Sequence, residues 1–262
     1  MDLPKNAFKA ALKAGEQQIG LWNTLGGNTV PEALAGIGYD WIVVDTEHAA
    51  RGVMDVLPAL QAMAAYPRTT PVVRVVENSA ATIKRVLDFG AQTILVPYVQ
   101  NAEEAEAAVQ AVRYPPAGMR GVAGGTRAGR YGQIEDYHAR ANDEICLIVQ
   151  VETLEAADHL EEIALTDGVD GVFIGPADLS ASMGYPGQPG HPTVKEKIAE
   201  LIGRLNAVKV PAGILATDPA YAKTCIELGT AFTAVGLDLP LMLNAARGLA
   251  AEFGRGPADG TA

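Results

Sequence analysis

Eight short runs rich in Val, Ile and Leu recur along the chain, each followed by a longer stretch rich in Ala, Leu and Glu. The runs fall near residues 18–24, 41–45, 71–76, 93–97, 145–152, 171–175, 211–216 and 232–237. They are almost continuously apolar, which implies burial on both faces, the condition of a parallel sheet covered by helices. Helical periodicity marks the stretches at 28–37, 53–66, 79–89, 102–113, 154–165, 193–207, 218–228 and 239–253. Strands and helices in strict alternation predict an α/β fold, a closed (β/α)8 TIM barrel. One domain is expected over residues 1–254, with a tail at 255–262. Asn28, Ser79 and Asp218 stand where helices should start, and Gly90 and Gly229 where left-handed caps should end them.

Composition narrows the classes of function. With 48% hydrophobic and 19% charged residues in 262, the chain can build a sizeable core. Its net charge of -11 and its scattered 20 Lys and Arg leave no basic patch, so no nucleic-acid partner is expected. No stretch approaches the ~20 apolar residues of a membrane span. The N-terminal segment lacks the apolar stretch of a signal peptide, and a cytoplasmic location is expected. Cys146 and Cys225 read as buried free thiols. A glycine-rich insertion at about 113–132 breaks the rhythm, either as a connector or as a segment folded over something. Its Arg120, Arg127 and Arg130 read as solvated, as do His138, His159 and His191.

Polar residues sit where the apolar runs stop: Asp45, His48, Arg74, Glu152 and Asp178. In a barrel all five meet at the C-terminal mouth. Glu152 and Asp178 would repel each other unless a cation lay between them, and an oxygen-only pair suits Mg, Mn or a related divalent ion. Each could also simply begin a helix. His48 is a candidate general base, with Asp45 as its near neighbour; Glu47 is also available as partner. Arg74 interrupts a buried strand and therefore demands carboxylates or an anionic ligand beside it. Gln150 lies two residues before Glu152 and faces the same way. The GPAD turn offers the Ala177 and Asp178 N–H groups as a carboxylate cradle. No lysine falls at a strand's C-terminal end, which disfavours a Schiff-base route.

The segments GLWNTL, DTEHA, PVVRV, QTILVPYVQNAEEA, RYPPAGMRG, VQVET and GPADLSASMG span nearly the whole chain in order. Together they resemble the class II pyruvate aldolases of the HpcH/HpaI family. That resemblance implies a (β/α)8 barrel, a divalent metal (Mg, Mn or Co) and reversible aldol cleavage of a 2-oxoacid to pyruvate, or hydroxypyruvate, and an aldehyde. It implies a homo-oligomer, a hexamer. It makes His48 the acid/base, Arg74 the stabiliser of the enolate oxygen, and Glu152 and Asp178 the metal ligands. Gln150, Ala177 and Asp178 would contact the oxoacid. Asp88, which the residues alone read as a solvated helix position, would tune the histidine, across a subunit contact. Val76 and Glu77 depart from the family pattern and bear on the choice of aldehyde. An acyl-coenzyme A lyase on the same barrel, or an oxoacid-binding barrel without catalysis, are the rival readings.

Overall fold

A computed structural model describes residues 1–256; the expected tail lies outside the described residues from position 257 onward. Eight parallel strands close on themselves in chain order: β1 Gln18–Asn23, β2 Trp41–Asp45, β3 Thr70–Arg74, β4 Thr93–Val96, β5 Cys146–Val151, β6 Gly171–Ile174, β7 Ala212–Leu215 and β8 Phe232–Leu237. The expected TIM barrel is the fold found, a single domain, with strand limits within about two residues of the apolar runs.

Twelve helices surround the barrel among the described residues: α1 Ala7–Ala14, α2 Thr29–Ala35, α3 Val53–Met63, α4 Ala80–Asp88, α5 Ala102–Val112, α6 Tyr137–Glu144, α7 Leu154–Asp158, α8 Leu160–Ala164, α9 Pro176–Ser182, α10 Pro192–Ala207, α11 Pro219–Glu227 and α12 Asp238–Glu252. The stretch expected as one helix at 154–165 breaks at His159 into α7 and α8, and α1, α6 and α9 are additional. Asp218 caps α11 by accepting from the Ala220 N–H at 2.8 Å. Asn28 and Ser79 make no such cap bond, and at Asn28 the backbone is already helical (φ -107°, ψ -20°). Gly90 and Gly229 take φ of +96° and +98°, the left-handed region their positions require.

Alternation along the strands produces two cores. Side chains such as Leu21, Ile42, Val44, Val73, Ile94, Val149, Val172 and Ile214 pack outward against the helices. Their neighbours in sequence, including Trp22, Trp41, Val43, Val72, Leu95, Ile148, Phe173 and Phe232, fill the barrel interior. Phe8 and Leu12 of α1 belong to that interior cluster, so α1 plugs the foot of the barrel. The large rings there need small partners. A Cβ at Gly20 would overlap the Trp41 ring, and one at Gly213 the Phe232 ring, so glycine opposite aromatic is the packing solution.

The glycine-rich insertion folds over the end of α4. The Ala128 N–H donates to Asp88 O at 3.1 Å, and Arg127 donates to Phe89 O at 2.7 Å. Arg120, expected to be solvated, is 2% exposed; it lies 4.2 Å above the Tyr114 ring and donates to Asp88 Oδ1 at 3.1 Å. The ring and the carboxylate together offset the cost of burying the guanidinium. Both cysteines are buried free thiols. Among the described residues no helix is long and apolar enough to cross a membrane.

Candidate active site

The inward alternation that places Trp41 and Val43 in the barrel continues to Asp45, and that of Cys146 and Ile148 continues to Gln150 and Glu152. The polar residues therefore occupy the topmost inward positions of β2, β3 and β5. Trp22 and Phe173, with ring centroids 5.2 Å apart, form the floor beneath them.

Parallel pairing sets Asp45 directly opposite Arg74. Arg74 donates through Nε to Asp45 Oδ1 at 2.8 Å and through Nη2 to Oδ2 at 2.7 Å. The Trp22 indole N–H adds a third bond to Asp45 at 3.3 Å, and its ring lies 4.9 Å below the guanidinium. Burial alone would raise the Asp45 carboxyl, but the hydrogen bonds and charge of Arg74 hold it below its ordinary value. Burial would likewise pull Arg74 down, and Asp45 more than reverses it. Asp45, expected beside His48, is thus committed to Arg74. The register of β2 on β3 puts it there, and both its oxygens are taken.

The backbone at the end of β2 turns on Asp45, whose Oδ1 also accepts the Glu47 N–H at 3.0 Å. This throws the Glu47 side chain back over the mouth. Its Oε2 lies 2.7 Å from Arg74 Nη1, and its Oε1 lies 3.9 Å from His48 Nε2. Burial pushes the Glu47 carboxyl up despite the guanidinium beside it. Glu47, rather than Asp45, is the acid near the imidazole. His48 itself is 66% exposed at the rim, open to a ligand entering from solvent.

Glu152 is 2% exposed. Its Oε1 accepts the Tyr98 N–H at 2.9 Å, and its Oε2 accepts from Gln150 Nε2. Tyr98 holds a left-handed backbone, φ +57°, at the end of β4, a conformation that disfavours a bulky residue and that aims its N–H at the carboxylate. Gly175 must be glycine: a Cβ there would overlap the Glu152 carboxylate and the Gln150 amide. The following proline starts α9, so Ala177 and Asp178 lie in its first turn. Their N–H groups have no intrahelical acceptor by position. Burial, then the charge of Asp178, push the Glu152 carboxyl up to about 7.

A strongly perturbed buried carboxyl beside a second acid is the environment a cation relieves. Among the described residues no three His, Cys, Asp or Glu gather closely enough to hold a metal alone. Two protein carboxylates leave the remaining positions of a hard divalent ion to oxygens of water or substrate. Gln150 Oε1 is buried without a hydrogen-bond partner, a second acceptor waiting in the same corner. The residues present therefore fit such an ion.

Asp88 is the one expected site residue that the chain does not bring to the mouth. It ends α4, which starts at the top of β3 and runs back to the foot, and its side chain meets Arg120.

Comparison with known proteins now bears on this arrangement. Residues 18–245 match the family model described as HpcH/HpaI aldolase/citrate lyase. The chain belongs to the HpcH/HpaI aldolase/citrate lyase family. It is 56% identical to a hydroxypyruvate/pyruvate aldolase of Sagittula stellata, over 97% of this chain and 100% of that one. It is 53% identical to a 4-hydroxy-2-oxo-heptane-1,7-dioate aldolase of Salmonella dublin, over 95% of each. Among solved structures, a HpcH/HpaI family protein of Burkholderia cenocepacia superposes with a TM-score of 0.92 at 40% identity, covering 95% of this chain and 99% of that one. In this HpcH/HpaI barrel, sequence reasoning missed Glu47 as the partner of Arg74 and Tyr98 as the support of Glu152. Alternation points Glu47 inward with Asp45, a legible signal. Nothing in the sequence marks the left-handed turn at Tyr98.

Proposed function

We propose that this chain is a metal-dependent aldolase that reversibly cleaves 4-hydroxy-2-oxoacids to pyruvate, or hydroxypyruvate, and an aldehyde. Membership of the family and the names of its relatives make it a carbon–carbon lyase. The observation that carries the assignment of roles is the buried Glu152, held by the Tyr98 N–H and Gln150 and facing the charge of Asp178, at a mouth that also holds Arg74.

A divalent ion (Mg, Mn or Co) held by Glu152 and Asp178 would supply Lewis-acid polarisation of the keto group. The first-turn N–H groups of Ala177 and Asp178, with Gln150, bind the oxoacid carboxylate and fix its orientation. His48 takes the proton from the C4 hydroxyl. The C3–C4 bond then breaks, the aldehyde departs, and the bonding pair moves to the keto oxygen as the enolate forms. Arg74, held by Asp45 and Glu47, is fixed positive charge where that oxyanion develops, with no reorganisation required. Return of that proton from His48, directly or through water, to C3 of the enolate gives the free oxoacid and restores the base.

Asp88 reaches a His48 in this scheme only from another copy of the chain. α12 supports assembly, since Leu239, Leu241, Met242, Leu243 and Leu249 are all exposed along it. A hexamer in the cytoplasm is the proposed form. The test is pyruvate release from a panel of 4-hydroxy-2-oxoacids with Mg, Mn or Co supplied in turn. Release from at least one, abolished by chelator and restored by metal, is expected; no release from any member overturns the proposal.

A further inference from the structure

His48 carries the proton in the reading above, yet among the described residues no hydrogen bond holds its ring, and Glu47 stands 3.9 Å away. The imidazole is therefore placed by the backbone of its loop, residues 46–52, which has no regular secondary structure. The near end of that loop is fixed to β3. Thr46 donates to Arg74 O through its N–H at 3.1 Å and through its hydroxyl at 2.6 Å.

The far end is tied by one side chain. Arg51 Nη2 donates to Leu25 O, in the loop that follows β1. Ala50 packs there as well: a Cβ on Gly26 would stand 3.6 Å from Ala50 O. Arg51 is 5% exposed, and its Nε and Nη1 are buried without a hydrogen-bond partner. A guanidinium buried with two idle nitrogens is a costly way to make one bond. The loop that receives it is itself held fast. Asp238, the buried first residue of α12, accepts the Thr24 N–H at 2.9 Å, the Leu25 N–H at 3.0 Å, the Thr24 hydroxyl at 2.8 Å and the Asn23 amide at 2.6 Å. Burial would raise the Asp238 carboxyl, and these bonds more than reverse it. Its charge also opposes the downward pull of burial on Arg51.

We infer that Arg51 is a positioning residue for His48: it fastens the acid/base loop to a β1 loop that Asp238 holds rigid, and so sets where the imidazole stands relative to the bound oxoacid. This rests on the acid/base role given to His48 above. Proton transfer requires hydrogen-bond reach, and a displacement of about 1 Å costs up to ~10²-fold in rate. Leu25 O also accepts from the Asn23 amide at 3.1 Å, so loss of Arg51 orphans no group there and the barrel stands.

The test follows exchange of the pyruvate methyl protons in deuterated solvent by NMR, with the metal-loaded enzyme and no aldehyde. Arg51→Met should lower kcat for exchange by about 10–100-fold, while the KM for pyruvate stays within about twofold and the melting temperature is nearly constant. Arg51→Lys, which keeps a donor for Leu25 O, should recover part of the rate. In a His48→Ala background Arg51→Met should lower the residual rate no further, because the two residues act as a unit. An unchanged kcat in Arg51→Met, or an equal fold-loss with and without His48, overturns the inference. Either result with exchange by the unaltered enzyme sinks only the role of Arg51; no exchange by the unaltered enzyme sinks the aldolase reading beneath it.

Discussion

At the foot of the barrel Phe8, Trp41 and Phe232 pack ring against ring with centroids 5.6 to 5.9 Å apart. At the mouth the inward positions of β2, β3 and β5 carry Asp45, Arg74 and Gln150, with Glu152 just beyond β5. Both regions obey one alternation rule, yet the lower is held by apolar contact and the upper by charges that would be costly alone. Asp45 and Arg74 satisfy each other. Glu152 has only two hydrogen bonds and an acid for a neighbour. The foot is built for stability, and the mouth keeps one group in an unfavourable state that a ligand improves.

The sharpest way to break this contrast is at the rim. His48→Ala should lower the cleavage rate by about 10²–10⁴-fold, the usual worth of a general base, while the melting temperature stays nearly constant, as expected for an exposed side chain. A variant that retained the full rate would remove His48 from the chemistry. Next comes the foot. Phe232→Ala should cost about 3–5 kcal/mol of stability through the cavity it leaves. Urea unfolding reads that loss, and kcat measured well below the transition should be little changed. A collapse of kcat at constant stability would mean the two halves are not separable.

The third prediction concerns pH. The Glu152 carboxyl titrates near 7 when folded, against an ordinary value of 4.5. Between those values the metal-free folded protein holds a proton that the unfolded chain has released. Stability therefore falls as pH rises through this window, by roughly 3 kcal/mol in total. Urea midpoints from pH 4.5 to 8 should show the slope in the metal-free protein, and Glu152→Gln should flatten it. An unchanged slope in the variant would assign the titration elsewhere. The smallest effect is expected at Tyr98. Replacing it with glycine relieves the left-handed backbone, an effect of about 1 kcal/mol or less. Its sign in a melting experiment tells whether the strain is stored or already offset by neighbours.

Legibility in the sequence followed the same division. All eight strands could be read because two-sided burial leaves unbroken apolar runs. α1 could not, since AFKAALKA is a short amphipathic segment whose partner, the barrel's open foot, exists only after closure. α9 was hidden in the GPAD turn. At the mouth, alternation says that Asp45 and Arg74 both face inward. It does not say that they pair, because register between strands is a property of the closed sheet. That is why the residues alone put Asp45 beside His48 and offer Glu47 only as an alternative, whereas the register gives Asp45 to Arg74 and leaves Glu47 near the imidazole. Arg120 looked solvated because a glycine-rich segment gives no hint of the aromatic ring and the acid it folds against. Asp88 was legible only by resemblance, and its place at the end of α4 explains why local chemistry could not reveal it.

α1 has a kinetic implication. With the interior filled from Phe8 and Leu12 up to the Trp22–Phe173 floor, the site opens only at the mouth. Whatever enters deepest leaves last. For a cleavage that yields two fragments, the outer one must clear the doorway before the inner one can follow, so the order of departure is written into the architecture before any side chain at the rim is chosen.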